Sequence, residues 1–325
     1  MRSKSRNGLI VFIITLVVAA LVVTLSFTAG DKIKATNDSN TGNPNGVSNY
    51  DYDYDDEPAA SKKNYLAAVQ LEGTIEGANA TYNQKWLLSV ISELKYDSNN
   101  LGIALYIDSP GGAVYQADEV YLALKDYKKT GKKIYVYMGP LAASGGYYIS
   151  CAADKIYANR NTLTGSIGVI ASHVLDFSEL LYNIGIESTT IYSGDNKNLG
   201  AFDEEFTEEQ QEIMQEICDE CYEQFLDIVK EERKMTDDFA RKLADGRVYT
   251  ASQALKNGLI DAISDWDSMV KDLSYEVSGS PLCKVKTYKY EKKLTFMEQM
   301  MYTVSNLKPV KAEKQMSMPM YMYGK

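Results

Sequence analysis

From Tyr65 onward, short apolar runs rich in β-branched and aromatic residues alternate with longer segments of helical periodicity, and this alternation limits the fold more than any other feature. "YLAAVQLEG", "LGIALYID" (101–108), "KKIYVYM" (132–138) and "ESTTIYS" (187–193) read as strands. "NQKWLLSVISELK" precedes the second run and "AVYQADEVYLALKDYKK" follows it, the latter with Val114, Ala117, Val120, Tyr121 and Leu124 on one face. Strand and helix in turn predict an α/β domain around a mostly parallel sheet. Farther on, residues 207–233 read as one long helix, with Thr207 as N-cap, Gln210 completing a capping box and an apolar stripe of Ile213, Ile217, Cys221, Phe225 and Ile228. "TASQALKNGLID" repeats the device with Thr250 and Gln253, and Gly258 follows its last turn.

The N-terminus has a different character. Arg2, Lys4 and Arg6 precede Leu9–Phe27, 19 residues without a charge, long enough as a helix to cross a hydrocarbon core of about 30 Å. The basic residues before the span favour an N-terminus inside, with the rest of the chain outside the cytoplasm. The organisation expected is a cytoplasmic stub (1–8), a transmembrane anchor (9–29), an acidic polar linker (30–63), a folded domain (64–279) and a Met- and Tyr-rich tail (280–325) that from about residue 290 lies outside the core. The linker holds Asp51, Asp53, Asp55, Asp56 and Glu57 but lacks the glycine turn and distal Glu of a calcium loop. The tail's end, "SMPMYMYGK", is uncharged until Lys325 and apolar enough to lie in a substrate groove.

Composition excludes several functions. A net charge of −10 and no basic stripe argue against nucleic acid as partner. Cys151, Cys218, Cys221 and Cys283 show no zinc-like clustering, so no metal and no cofactor is expected. His173 is the single histidine, in a segment with no evident orienting acid, which leaves a Ser-His-Asp triad little support.

Two strand-to-helix junctions carry the chemistry. In "YIDSPGG", Tyr106–Gly112, a strand ends, Pro110 sits in the turn and two glycines lead into a helix, so free N–H groups face an incoming oxyanion or simply make a tight turn. "YVYMGPLAASGGYYIS" places Ser144 after a strand and a Gly-Pro turn among Ala142, Ala143, Gly145 and Gly146. A helix starting there aims the Gly145 N–H the same way, an arrangement suited to attack on a carbonyl and distinct from the G-x-S-x-G elbow. A serine needs a base, and a buried lysine of depressed pKa serves. Many lysines compete for the role, and "YSGDNKNLG" makes Lys197 a candidate.

The set "YIDSPGG", "GPLAASGGYYISCAADKIYA", "TLTGSIGVI", "YSGDNK" and "DGRVYTASQALKNGLID" resembles the signal peptide peptidase A family in its short bacterial form. The likeness covers roughly residues 65 to 275 in order. It implies a Clp/crotonase-like domain of ββα repeats, with Ser144 as nucleophile and Lys197 as general base. Gly112 and Gly145 would form the oxyanion hole, and Ser166 would hold the lysine amine. It further implies a ring-shaped homo-oligomer anchored in the cell membrane by the N-terminal helix, its catalytic domain extracytoplasmic, cleaving remnant signal peptides. The chain departs from the family after Lys197, where "NLGAFDEEF" replaces the frequent Ser-Pro. Two rival expectations are a catalytically silent membrane scaffold of the same fold and an acyl-CoA hydratase-like enzyme. The second would need acidic catalytic residues and a cytoplasmic address.

Overall fold

The computed structural model describes residues 63–292 and residue 297. Backbone contacts divide the chain into Met1–Asn45 and Gly46–Lys325, and only the second unit contains described residues. The expected anchor, the calcium-loop-like acidic run and the "SMPMYMYGK" end all lie outside them. Among the described residues no helix is long and apolar enough to cross a membrane.

The order of elements is β1 (Tyr65–Glu72), α1 (Gln84–Tyr96), β2 (Asn100–Ser109), α2 (Val114–Lys128), β3 (Lys133–Ala143), α3 (Gly145–Ser150), β4 (Lys155–Ala158) and β5 (Leu163–Gly165). There follow α4 (Ser178–Asn183), α5 (Glu208–Arg233), α6 (Asp237–Leu243), β6 (Val248–Thr250), α7 (Ala251–Lys256), β7 (Ala262–Ile263), α8 (Trp266–Ser278) and β8 (Lys284–Tyr288). One eight-stranded sheet runs β6-β5-β3-β2-β1-β8, with β4 and β7 branching from β3. Every pairing is parallel except β5 with β6. The α/β expectation with a mostly parallel sheet therefore holds.

The long central strand β3 divides the sheet. Its first half, Tyr135–Met138, pairs with β4, and its last residues, Leu141–Ala143, pair with β5. The Gly139-Pro140 pair at the fork is thus not the turn expected from sequence. It sits inside the strand, where the pairing with β2 shifts register between Ile107 and Ser109. This shift carries the end of β3 over the rim of the sheet and delivers Ser144 there.

Both faces of the sheet are covered, which explains why β1–β3 read as almost unbroken apolar runs. On one face Val69, Leu105, Ile107 and Val136 pack with Leu87, Ile91, Val120, Leu124 and Phe225 from α1, α2 and α5. On the other, Leu66, Ala104, Tyr135 and Tyr157 meet Met269 and Leu273 of α8. The caps behave as the sequence suggests, with one difference. Thr250 and Gln253 form a full reciprocal box, whereas Thr207 accepts from the Gln210 N–H without a return bond.

Two expectations fail. Residues 187–193 form no strand, because no sheet edge lies alongside them and their β-branched side chains stand in solvent. The folded domain runs past its expected end at residue 279. Cys283 is buried, and β8 adds to the free edge of β1 in parallel register from Tyr65↔Lys284 to Val69↔Tyr288.

Candidate active site

Ser144 is built into place by its neighbours. It sits between β3 and α3 with φ 51° and ψ −121°, a conformation that costs a non-glycine residue about 1–3 kcal/mol. Its N–H donates to the Gly165 carbonyl at 2.8 Å, and its carbonyl accepts from the Tyr148 N–H at 2.9 Å. All six residues of α3 are buried, so the strain is held by core packing. Behind them the Tyr147 hydroxyl donates to the Leu259 carbonyl at 2.9 Å. The Tyr148 hydroxyl donates to Asp118 at 2.7 Å and accepts from Gln224 at 2.6 Å. Cys151, one residue past α3, is a fully buried thiol pushed up to about 12 by desolvation, and so is inert packing.

The glycine turn of the first junction presses against this loop. A Cβ on Gly111 would lie 2.7 Å from the Ser144 Cβ and 2.8 Å from the Gly145 nitrogen. One on Gly112 would lie 2.0 Å from the Ile75 carbonyl oxygen, whose lone pair already accepts from the Ala113 N–H at 2.8 Å. Only a residue without a side chain lets this turn run between Ile75 and Ser144. The Gly112 nitrogen in turn lies 3.4 Å from where a Gly145 Cβ would be. The backbone nitrogens of Gly112 and Gly145 therefore flank the serine. Gly145 begins a helix, where N–H groups have no intrahelical acceptor.

Ser144, Gly112 and Ser166 open onto one cleft of about 630 Å³, lined also by Val114, Val169 and Ile170 and by Cys218 and Tyr222 of α5. Ser166 shares the unusual backbone of Ser144, with φ 51°, and its N–H donates to the Arg247 carbonyl at 2.8 Å. Val114, expected on the buried face of its helix, is exposed at the cleft mouth because the helix starts at the site rather than in the core.

Lys197 stands apart from these groups. It is exposed, in a turn closed by its own N–H donating to the Gly194 carbonyl at 3.0 Å, and it does not line the cleft. His173 is likewise exposed and away from the cleft. Among the described residues no group of His, Cys, Asp or Glu is arranged to hold a metal ion. The reading of α5 also needs correction. Phe225 and Ile228 are buried, but Ile217 of the expected stripe is exposed, while Gln215, Cys218, Asp219 and Tyr222 form the wall of the cleft. Their spacing of three and four was legible as a helical face. Their polarity hid it from a search for apolar periodicity.

The sequence model of peptidase family S49 matches residues 126–278, a span that contains Ser144, Ser166 and Lys197. A relative from Enterococcus faecium that carries the name of a signal peptide peptidase SppA is 34% identical over 228 residues, 68% of this chain and 65% of that one. A relative named as a protease in Synechocystis sp. is 34% identical over 203 residues, 62% of this chain and 71% of its own length. Protease 4 of Haemophilus influenzae is 32% identical over 64% of this chain but only 34% of its own. The chain thus spans 65% of the length of the Enterococcus relative and about a third of the Haemophilus protein. Among solved structures, a point mutant of ClpP1 from Listeria monocytogenes overlaps 61% of this chain and 91% of that one, with a TM-score of 0.42 at 19% identity. That overlap is too loose to locate any residue. On the match to the family model and the sequence relatives, the chain belongs to peptidase family S49, the signal peptide peptidase A family.

Proposed function

We propose that this chain is a serine endopeptidase with a Clp/crotonase-like catalytic domain. In this reading Ser144 is the nucleophile, Lys197 the general base, Gly112 and Gly145 the oxyanion donors, and Ser166 the residue that orients the amine. The observation that carries the reading is the strained backbone of Ser144, held by a buried helix against a glycine turn and open to a cleft. The unprotonated amine of Lys197 takes the Ser144 proton as Oγ attacks the scissile carbonyl carbon. Two backbone N–H groups carry the charge of the tetrahedral oxyanion. The intermediate collapses, the C–N bond breaks, and the lysine ammonium returns its proton to the leaving amine. Water then cleaves the acyl ester with the same amine as base.

This chemistry requires Lys197 to reach Ser144, and we propose that it does so on assembly into a homo-oligomeric ring. The exposed segment around the lysine supports this. Leu175, Phe177, Leu180, Tyr182, Ile184, Ile186, Ile191, Tyr192 and Phe202 are all exposed, and α4 buries none of its residues. So large an apolar area is characteristic of an interaction surface. The substrates proposed are remnant signal peptides, met at a membrane to which the N-terminal apolar span tethers the catalytic domain on the extracytoplasmic side. A silent scaffold of the same fold is the second reading, and the distance of Lys197 from the cleft is the observation in its favour. Mass spectrometry of peptides released from a mixed signal-peptide pool separates the two. The peptidase releases fragments that Ser144→Ala does not, whereas identical profiles from the two proteins would leave the scaffold.

A further inference from the structure

The wall that α5 gives the cleft contains one group with no counterpart. Of its four residues, Cys218 donates to the Val169 carbonyl at 3.3 Å and Tyr222 to the Ala244 carbonyl at 2.9 Å. Gln215 donates to Asp219 at 2.6 Å. Among the described residues that neutral amide is the sole hydrogen-bond partner of the Asp219 carboxylate and no basic side chain lies within ion-pair distance of it. Several of the carboxylates around it are compensated, though among the described residues Glu216 and Glu220 of the same helix are not. Asp245, also on the cleft, pairs with Arg247, Glu223 pairs with Arg241, and Asp237 pairs with Lys230 and Arg241. Among the described residues no Lys or Arg lines the cleft, and Val114, Val169 and Ile170 give it an apolar surface.

We propose that Asp219 is a specificity-determining residue that receives a lysine or arginine side chain of the peptide, while adjoining apolar residues of the substrate lie along Val114, Val169 and Ile170. The inference rests on the peptidase reading and gives that site a substrate class: peptides in which a basic residue neighbours a short apolar stretch. An approaching ammonium or guanidinium gains a charge-assisted hydrogen bond in a partly dried cleft. An acidic side chain there meets like charge from Asp219. Because the carboxylate is exposed, salt weakens the selection.

The test uses the full chain and matched peptides bearing Lys, Arg, norleucine or Glu at each position in turn. At one position the wild type is expected to favour Lys and Arg over norleucine by about tenfold in kcat/KM. Asp219→Asn removes that preference by lowering kcat/KM on the Lys and Arg peptides relative to the norleucine peptide, and Asp219→Lys turns it toward Glu. The same peptides are titrated against Ser144→Ala and against Ser144→Ala/Asp219→Asn by fluorescence anisotropy, where the charge-dependent difference in Kd is expected only in the first. This second reading requires no turnover, so loss of cleavage with charge-selective binding retained counts against the peptidase reading alone. A preference that survives Asp219→Asn in both assays overturns the proposal. An equal loss on every peptide also overturns it, because that pattern belongs to a residue that positions the base.

Discussion

Residues 142–152 and residues 170–202 lie close in sequence and are opposite in construction. In the first, every residue but Ser144 is buried, and the hydroxyls of Tyr147, Tyr148 and Ser150 are all engaged. In the second, Ile170, Tyr182 and Ile191 are 87%, 80% and 95% exposed, and the short helix α4 has no buried side. The proposed nucleophile and its proposed backbone donors are thus fixed by the chain's own core. The proposed base rides on a segment whose apolar side chains have nothing of their own chain to cover them. A strained nucleophile is stable only where its surroundings over-determine it. A base needs only to arrive. In the proposed function, this difference corresponds to a peptidase whose single chain is half-assembled and whose activity follows association.

The largest effects test both halves together. Ser144→Ala and Lys197→Ala are each expected to lower peptide turnover by about 10³-fold or more with unchanged circular dichroism. A mixture of the two variants is expected to regain part of the activity, since one kind of subunit supplies the serine and the other the lysine. A mixture that stays silent although the subunits have exchanged would assign Lys197 to its own chain through movement of residues 170–202, and the contrast would then be one of mobility.

Gly112→Ala probes the fixed half alone. The added Cβ falls 2.0 Å from the Ile75 carbonyl oxygen, and neither backbone can yield without moving the turn against Ser144. Loss of one oxyanion donor costs about 10²–10³ in kcat. Turnover should fall by that much, and the melting temperature should fall as well. Normal kcat in this variant would remove Gly112 from the site.

How much of this was legible in the sequence follows from the same contrast. Close approach of backbone is announced by small residues, and the convergence of the Ser144–Gly145 and Gly111–Gly112 junctions could be read without a structure. The three long strands and their helices were legible because burial on both faces writes a dense apolar pattern. Strands β4 to β7 were not, since elements of two to four residues carry no period. Residues 187–193 misled because β-propensity describes a fit to a pleated neighbour, and here none exists. The cleft wall of α5 escaped because Gln215, Cys218, Asp219 and Tyr222 are selected for what they face rather than for burial.

The exposed half is broken more gently. Ile191→Asp or Leu180→Asp places charge on a surface proposed to be covered in the ring. Sedimentation is expected to show smaller species, and activity should drop about tenfold while the stability of the monomer stays within about 0.5 kcal/mol of wild type. Unchanged sedimentation would move the interface elsewhere.

The smallest effect concerns pH and separates a half-buried carboxylate at the end of α1 from an exposed one on residues 170–202. The Tyr65 hydroxyl donates to Asp97 at 2.5 Å and holds that carboxyl below the usual carboxylate range. A group depressed on folding contributes stability above its unfolded value, and that contribution is lost as pH falls through the folded one. Asp97→Asn should therefore be destabilised near neutrality and flatten the acid limb of the stability curve. Asp176, lowered chiefly by the Ser178 hydroxyl but fully exposed to solvent, should change that limb less when replaced by Asn. Equal effects at the two positions would erase the distinction.

The most direct measurement is covalent capture of the nucleophile by a fluorophosphonate probe on the assembled full-length protein, read by mass spectrometry of the modified peptide. The account predicts label on Ser144 in the wild type, none in Ser144→Ala, and labelling slowed by orders of magnitude in Lys197→Ala. Label on another serine, or an undiminished rate at Ser144 without the lysine, would contradict it.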